Sequence, residues 1–132
     1  MATIFTKIIN GEIPCYKIAE DDRFFAFLDI NPLREGHTLV VPRMETDYLF
    51  DLDDDTLAGL IVFSKKVSKA IKEVVPCNRI GLAVIGLEVP HVHIHLVPMD
   101  SMEDINFRNP KLRFTPEEFK SMAEKIGSKV NL

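Results

Sequence analysis

The run His91-Val92-His93-Ile94-His95-Leu96-Val97 constrains this chain more than any other stretch. Polar and apolar residues alternate through it with a period of two, the repeat of a half-buried β-strand and not of an amphipathic helix. On such a strand Val92, Ile94 and Leu96 face a core. Three of the chain's four histidines then share the opposite face, with about 6.5–7 Å between successive rings. Thr, Lys or Glu would suit a merely solvated strand face better, so the histidine face asks for a chemical role.

The rest of the sequence leaves room for a single domain spanning 1–132. A chain of 132 residues can bury roughly two-thirds of its unfolded surface, enough for a core without staples. Apolar residues make up 46% and charged residues 27%, a globular composition and neither a disordered nor a collagenous one. The longest apolar stretches, residues 57–63 and 80–87, fall short of the roughly 20 residues that cross a bilayer, and no basic segment followed by an apolar one opens the chain. A cytoplasmic protein with no membrane partner is expected. With 16 basic and 20 acidic residues and a net charge of −4, no nucleic-acid partner is expected either. Cys15 and Cys77 lie too far apart for a paired metal motif and read as core filling.

Residues 15–19 and 24–28 flank the polar turn Glu20-Asp21-Asp22-Arg23 and read as a hairpin. Residues 38–41 are a strand stopped by Pro42, which cannot donate to a ladder. Residues 79–85 and 91–97, separated by Gly86-Leu87-Glu88-Val89-Pro90, add two more strands. Through residues 51–75, Leu57, Leu60, Ile61, Val67, Ala70, Ile71 and Val74 recur at spacings of three and four, the mark of a helix with one buried stripe. Asp51, Asp53, Asp54 and Asp55 sit at its positive end and Lys65, Lys66, Lys69 and Lys72 in later turns, where the helix dipole favours each. The alternative, a cation site on the four Asp, lacks the glycine and ligand spacing of a calcium loop. Thr115-Pro116-Glu117-Glu118 starts a C-terminal helix over about 115–129. The expected fold class is α+β, with a mainly antiparallel sheet of about five strands, one long helix and a C-terminal helix.

Two chemical readings of the histidines compete. Imidazoles at alternating positions converge on a metal ion when another element supplies a further ligand. Alternatively, one neutral imidazole attacks phosphorus or carbonyl carbon while its neighbours orient it and stabilise developing charge, with His37 as a supporting partner.

The motif His91-Val-His93-Ile-His95-Leu-Val resembles that of the histidine triad (HIT) family. Ile4-Phe5-Thr6-Lys7-Ile8-Ile9, Gly11-Glu12-Ile13-Pro14, Phe27-Leu28-Asp29-Ile30-Asn31-Pro32 and Gly36-His37-Thr38-Leu39-Val40-Val41-Pro42 are similar to its signature blocks in their usual order. The likeness covers roughly residues 4 to 98 and is nearest to the Hint-like branch of nucleoside phosphoramidases and dinucleoside polyphosphate hydrolase relatives. It implies that His93 attacks the α-phosphorus of a nucleotide, that His95 donates to a non-bridging oxygen, that His91 orients the nucleophile and that His37 supports the triad. It further implies that Asp29 binds the ribose hydroxyls of a purine, AMP-type nucleotide, and that Phe5, Ile8, Phe27, Leu28 and Ile30 line the base pocket. For these apolar residues core packing is an equal alternative. No cofactor or metal is implied, and relatives of this kind are homodimers.

The chain departs from the family pattern in two places. The cysteines that, with histidines, can hold zinc in many relatives are replaced by Thr3 and Thr6. The usual polar pair before the triad, Gln then Ser or Thr, is replaced by Leu87 and Glu88. Glu88 is expected at the mouth of the nucleotide site, where an ionised carboxylate repels phosphate and a protonated one can serve a leaving group; the alternative is a loop residue paired with a nearby Arg or Lys. Three functions follow: a metal-independent nucleotide hydrolase or transferase, a nucleotide-binding regulatory module with little turnover, and a metal-dependent protein built on the alternating histidines. Residues 101–113, with Arg108, Lys111 and Arg113, either reach toward a partner's site or form a solvated basic tail.

Overall fold

Five strands pair antiparallel throughout in a computed structural model that describes residues 2–132. They are β1 (Lys17–Glu20), β2 (Phe24–Leu28), β3 (Thr38–Pro42), β4 (Arg79–Ala83) and β5 (Ile94–Met99), in the spatial order β1-β2-β3-β5-β4. The helices are α1 (Ile4–Ile9), α2 (Asp54–Val74) and α3 (Pro116–Gly127), with 3₁₀ turns at Leu49–Asp51 and Met102–Ile105. The α+β class is as expected.

β2 and β3 are buried on both faces, because each face of the sheet is covered. Phe24, Ala26, Leu28 and Val40 join Leu60, Phe63, Val67, Ala70 and Ile71 of α2 and Ala123 and Ile126 of α3 in the main core. Val92, Ile94 and Leu96 belong to it, so the apolar half of the alternating run packs as its period demands. Phe25, Phe27, Leu39 and Val41 point to the other face, where Phe5 and Ile8 of α1 close a second, smaller core. At six residues α1 is too short to be stable alone; burying Phe5 and Ile8, each at about 1.5–3 kcal/mol, and the Thr3 cap hold it.

Asp53 caps α2, accepting from the Thr56 N–H, with Asp54 and Asp55 in the first turn; Asp51 instead ends the preceding 3₁₀ turn. Thr115 and Glu118 form a reciprocal capping box at the start of α3. Gly36 is needed as glycine: its φ is 86° and a Cβ there would lie 2.8 Å from Val75 Cγ2. That turn delivers His37 to the start of β3.

Several element bounds correct the sequence reading. β1 begins two residues later than expected, β4 ends at Ala83, and α1 was not anticipated. The strand expected over 91–97 pairs only from Ile94. Val40 faces Ile94 and Thr38 faces Leu96; continued, this register would set Val92 against Pro42, which has no N–H to give. His91 and His93 therefore precede the ladder. Residues 101–113 fold back on the domain, the Leu112 N–H donating to Pro32 O at 2.9 Å and Arg34 binding Asp100 and Asp104, while Arg108, Lys111 and Arg113 are exposed to solvent. Cys15 and Cys77 are both half-buried free thiols, Cys15 packing against the smaller core.

Candidate active site

Each triad histidine is held by contacts that also fix where its proton sits. The Leu33 N–H donates to His37 Nδ1 at 3.0 Å, so the neutral His37 ring carries its proton on Nε2. That Nε2–H points at His95 Nδ1, 3.0 Å away, and His95 must then carry its own proton on Nε2. His95 thereby becomes a donor beside the cleft it lines. His93 Nδ1 lies 2.8 Å from the His91 carbonyl, which can only accept, so Nδ1 is protonated and Nε2 keeps a free lone pair. Among the described residues no fully buried side-chain nitrogen or oxygen lacks a partner, so unbonded Nε2 opens to solvent. His91 is fully buried, donating from Nε2 to Pro42 O at 2.8 Å and meeting Thr3 Oγ1 at Nδ1 at 2.7 Å.

Burial favours the neutral form of His37, His95 and His91. His37 titrates at about 3 and His95 at about 4, desolvation being the main cause, with neighbouring His95 and His93 respectively adding to it. His91 is lowered for the same reason, partly offset by its bond to Pro42 O. Asp29 moves the other way: burial raises its pKa against the pull of the Asn31 N–H, which donates to Oδ1 at 2.8 Å.

A cleft of about 450 Å³ opens in front of His93 and His95. Phe5, Ile8, Phe27, Leu28, Asp29, Ile30 and Glu88 all line it. Phe5 stands edge-on to His93 at 5.0 Å and to Phe27 at 5.7 Å between ring centres. For Phe5, Ile8, Phe27 and Leu28 the pocket and core readings coincide, since each is buried as well as facing the cleft; Ile30 is a rim residue, 63% exposed. His91 and His37 stand behind the wall. Glu88 shares the cleft with His93, and its charge acts on Asp29.

Phe107 was not anticipated. Its ring lies edge-on to His95 at 4.7 Å and closes that end of the cleft. It falls in a segment with no periodic pattern, so nothing in the sequence marks it. Thr3 was noted only as a replaced cysteine, whereas here it touches His91.

Asp29, His37 and His95 bring one ligand atom each within 4.8 Å of one another. They suit a metal poorly. A ligating imidazole normally donates from its second nitrogen, whereas His37 Nδ1 accepts from Leu33 and leaves Nε2 occupied by a proton. The cluster reads instead as a hydrogen-bond chain.

A five-stranded antiparallel sheet presenting such a row of imidazoles defines the histidine triad class. The HIT domain profile matches residues 10–102, and the chain belongs to this family. It is 38% identical over 135 residues to an uncharacterised HIT-like protein of Borreliella burgdorferi, covering 96% of this chain and 97% of that one. It is also 38% identical to an adenosine 5'-monophosphoramidase of Schizosaccharomyces pombe, over 98% of this chain and 99% of that one. The crystal structure of a Hit-like protein from Bartonella henselae superposes with a TM-score of 0.82 at 31% identity, covering 96% and 95% of the two chains.

Proposed function

We propose that this protein is a nucleotide hydrolase or transferase acting on purine nucleotides of the AMP type whose α-phosphate carries an amine, sulfate, acyl or nucleotidyl leaving group. The observation that carries the reading is the bare Nε2 of His93 beside the donor Nε2–H of His95 in one cleft. His93 Nε2 attacks the α-phosphorus; a bond forms from nitrogen to phosphorus, the bond to the leaving group breaks, and an amine leaving group takes up a proton from solvent. His95 donates to a non-bridging oxygen, and the His91 carbonyl holds the proton on Nδ1 as positive charge develops on the ring. Water then attacks the nucleotidyl-histidine: an oxygen–phosphorus bond forms, the nitrogen–phosphorus bond breaks, AMP leaves, and the proton lost by the water replaces the one taken by the leaving group, restoring His93. These steps use groups of this protein and water, and none calls for a metal. Asp29 accepts from the ribose hydroxyls, and Phe5, Ile8, Phe27, Leu28 and Ile30 enclose the base. Likeness to an S. pombe adenosine 5'-monophosphoramidase over nearly the whole length supports the substrate class.

The test is amine release from an adenosine phosphoramidate, with and without EDTA. Turnover is expected to resist EDTA and to fall at least about a thousandfold in His93→Ala, a loss of the size seen when a covalent nucleophile is removed. Activity that EDTA abolishes would overturn the mechanism.

A second reading, a nucleotide-binding module with little turnover, is favoured by Leu87 and Glu88, which put an exposed apolar side chain and a carboxylate in the cleft where polar phosphate contacts are expected. AMP binding without turnover would select it. In either case we propose a homodimer.

A further inference from the structure

Residues 91–93 lie outside the strand ladder, yet they carry the nucleophile. Two backbone-to-backbone bonds hold them, His91 N–H to Val89 O at 2.8 Å and Val92 N–H to Thr46 O at 2.7 Å. A buried side-chain clamp supplies the rest. His91 Nε2–H is tied to Pro42 O, while Nδ1, left as an acceptor, meets the Thr3 hydroxyl at 2.7 Å. Thr3 is itself fixed: its N–H donates to Glu45 Oε1 at 2.6 Å and its Oγ1 accepts the Thr6 N–H at 3.1 Å. The Thr6 hydroxyl donates to the same Glu45 oxygen at 2.9 Å, and the Thr3 hydroxyl proton has two acceptors, Thr6 Oγ1 at 3.2 Å and the closer His91 Nδ1 at 2.7 Å.

We propose that Glu45, Thr6 and Thr3 are positioning residues for the phosphoryl-transfer step: with the tautomer of His91 set by Pro42 O, the Thr3 hydroxyl fixes the place of its ring, and the His91 carbonyl in turn holds His93 Nδ1–H and keeps Nε2 free to attack. The inference rests on His93 as nucleophile. Its distinguishing feature is reach, for a carboxylate exposed at the surface connects to His93 through the Thr6 and Thr3 hydroxyls, 3.2 Å apart, the His91 ring and the His91 carbonyl. A ring clamped at both nitrogens does here what ladder bonds do for His95, and α1 is tied to the triad through its cap residue as well as through Phe5.

Thr3→Val removes the hydroxyl at nearly constant shape, and Thr3→Ser returns it. Proton–nitrogen correlation spectra of the imidazoles, with kcat and KM for an adenosine phosphoramidate, are recorded on the same samples. In the wild type and in Thr3→Ser, His91 Nδ1 is expected to show the shift of a hydrogen-bonded acceptor. In Thr3→Val that shift moves to an unbonded value and kcat falls about tenfold, with KM changing less than about twofold. Glu45→Ala leaves the Thr3 hydroxyl and the cap in place and is expected to lower kcat about threefold; it carries the test if Thr3→Val does not fold. Unchanged His91 signals and unchanged kcat in a folded variant overturn the proposal. So does a rise in KM alone, which would reduce Thr3 to the cap of a helix that builds the cleft. If the wild type turns over no phosphoramidate, the nitrogen shifts still decide: His91 and His93 signals that move together in Thr3→Val uphold the clamp, and signals that stay overturn it.

Discussion

The Leu33 N–H reaches His37 Nδ1, and this one backbone contact sets the proton on His37 Nε2, then on His95 Nε2. The order requires both rings to be neutral, since a protonated His37 would turn its Nδ1 away from an N–H donor. Stability should report this directly. In the unfolded chain both rings titrate near 6.5, in the folded protein at about 3 and about 4. Below pH 6.5 the unfolded state therefore binds more protons, and stability falls as pH drops; above it the two states bind alike and the dependence vanishes. At pH 5 the cost is about 2 kcal/mol for each ring. Asp29, with its raised pKa, opposes the trend, but only in the acid range near its own titration. Urea midpoints should be flat above about pH 7 and fall clearly by pH 5, with a shallower fall in His37→Asn. A profile flat from pH 7 to 5 would mean that the rings take up protons in the folded state and that the tautomer chain is wrong.

Among the elements, α2 and α3 were legible because their signals are local: a three-four apolar repeat, an Asp cap, a Thr-Pro-Glu-Glu start. β2 and β3 were legible from β-branched and aromatic runs between turn residues. α1 was not, because Ile4-Phe5-Thr6-Lys7-Ile8-Ile9 is β-branched and reads as strand-forming; its helicity comes from the Thr3 cap and from packing onto the sheet. The late start of the histidine strand follows from pairing against Pro42, a long-range fact absent from the local pattern. The pocket residues could be named through the family likeness, but the Thr3 and Phe107 contacts to the triad depend on how the N-terminal helix and the 101–113 segment fold back. The loop between β4 and β5 carries the clearest local anomaly. Glu88 and Asp29 place two carboxylates in one cleft that receives a phosphate in the proposed reaction, and each raises the cost of the incoming charge. Glu88→Gln should tighten AMP binding about three- to tenfold at low ionic strength, the gain shrinking as salt screens the charge. Calorimetric titration at two salt concentrations checks it, and an unchanged Kd would put Glu88 away from the phosphate.

For the molecule as a whole, the two edges of the sheet differ. β1 presents Lys17 and Glu20, charges of the kind that discourage further strand pairing. β4 is the opposite edge, and its Leu82 is 48% exposed. On α2, which packs beside β4, Ile61 and Val62 are 44% and 51% exposed, outside the stripe that faces the core. Apart from Arg79 at its start this edge carries no charge, and a two-fold axis at β4 would pair the strand with its own copy antiparallel. The proposed dimer is expected to use this edge, and light scattering should give twice the 15.0 kDa of one chain. Introducing charge there, as Leu82→Lys with Val62→Glu, should shift the protein to monomer while leaving the opposite edge untouched. A variant that stays dimeric would move the interface elsewhere. Because β4 pairs with β5, which carries His95 and leads directly from His93, loss of the partner should loosen the strand that supports the triad. A monomeric variant is thus expected to lose part of its phosphoramidate turnover even though none of its substituted residues lines the cleft.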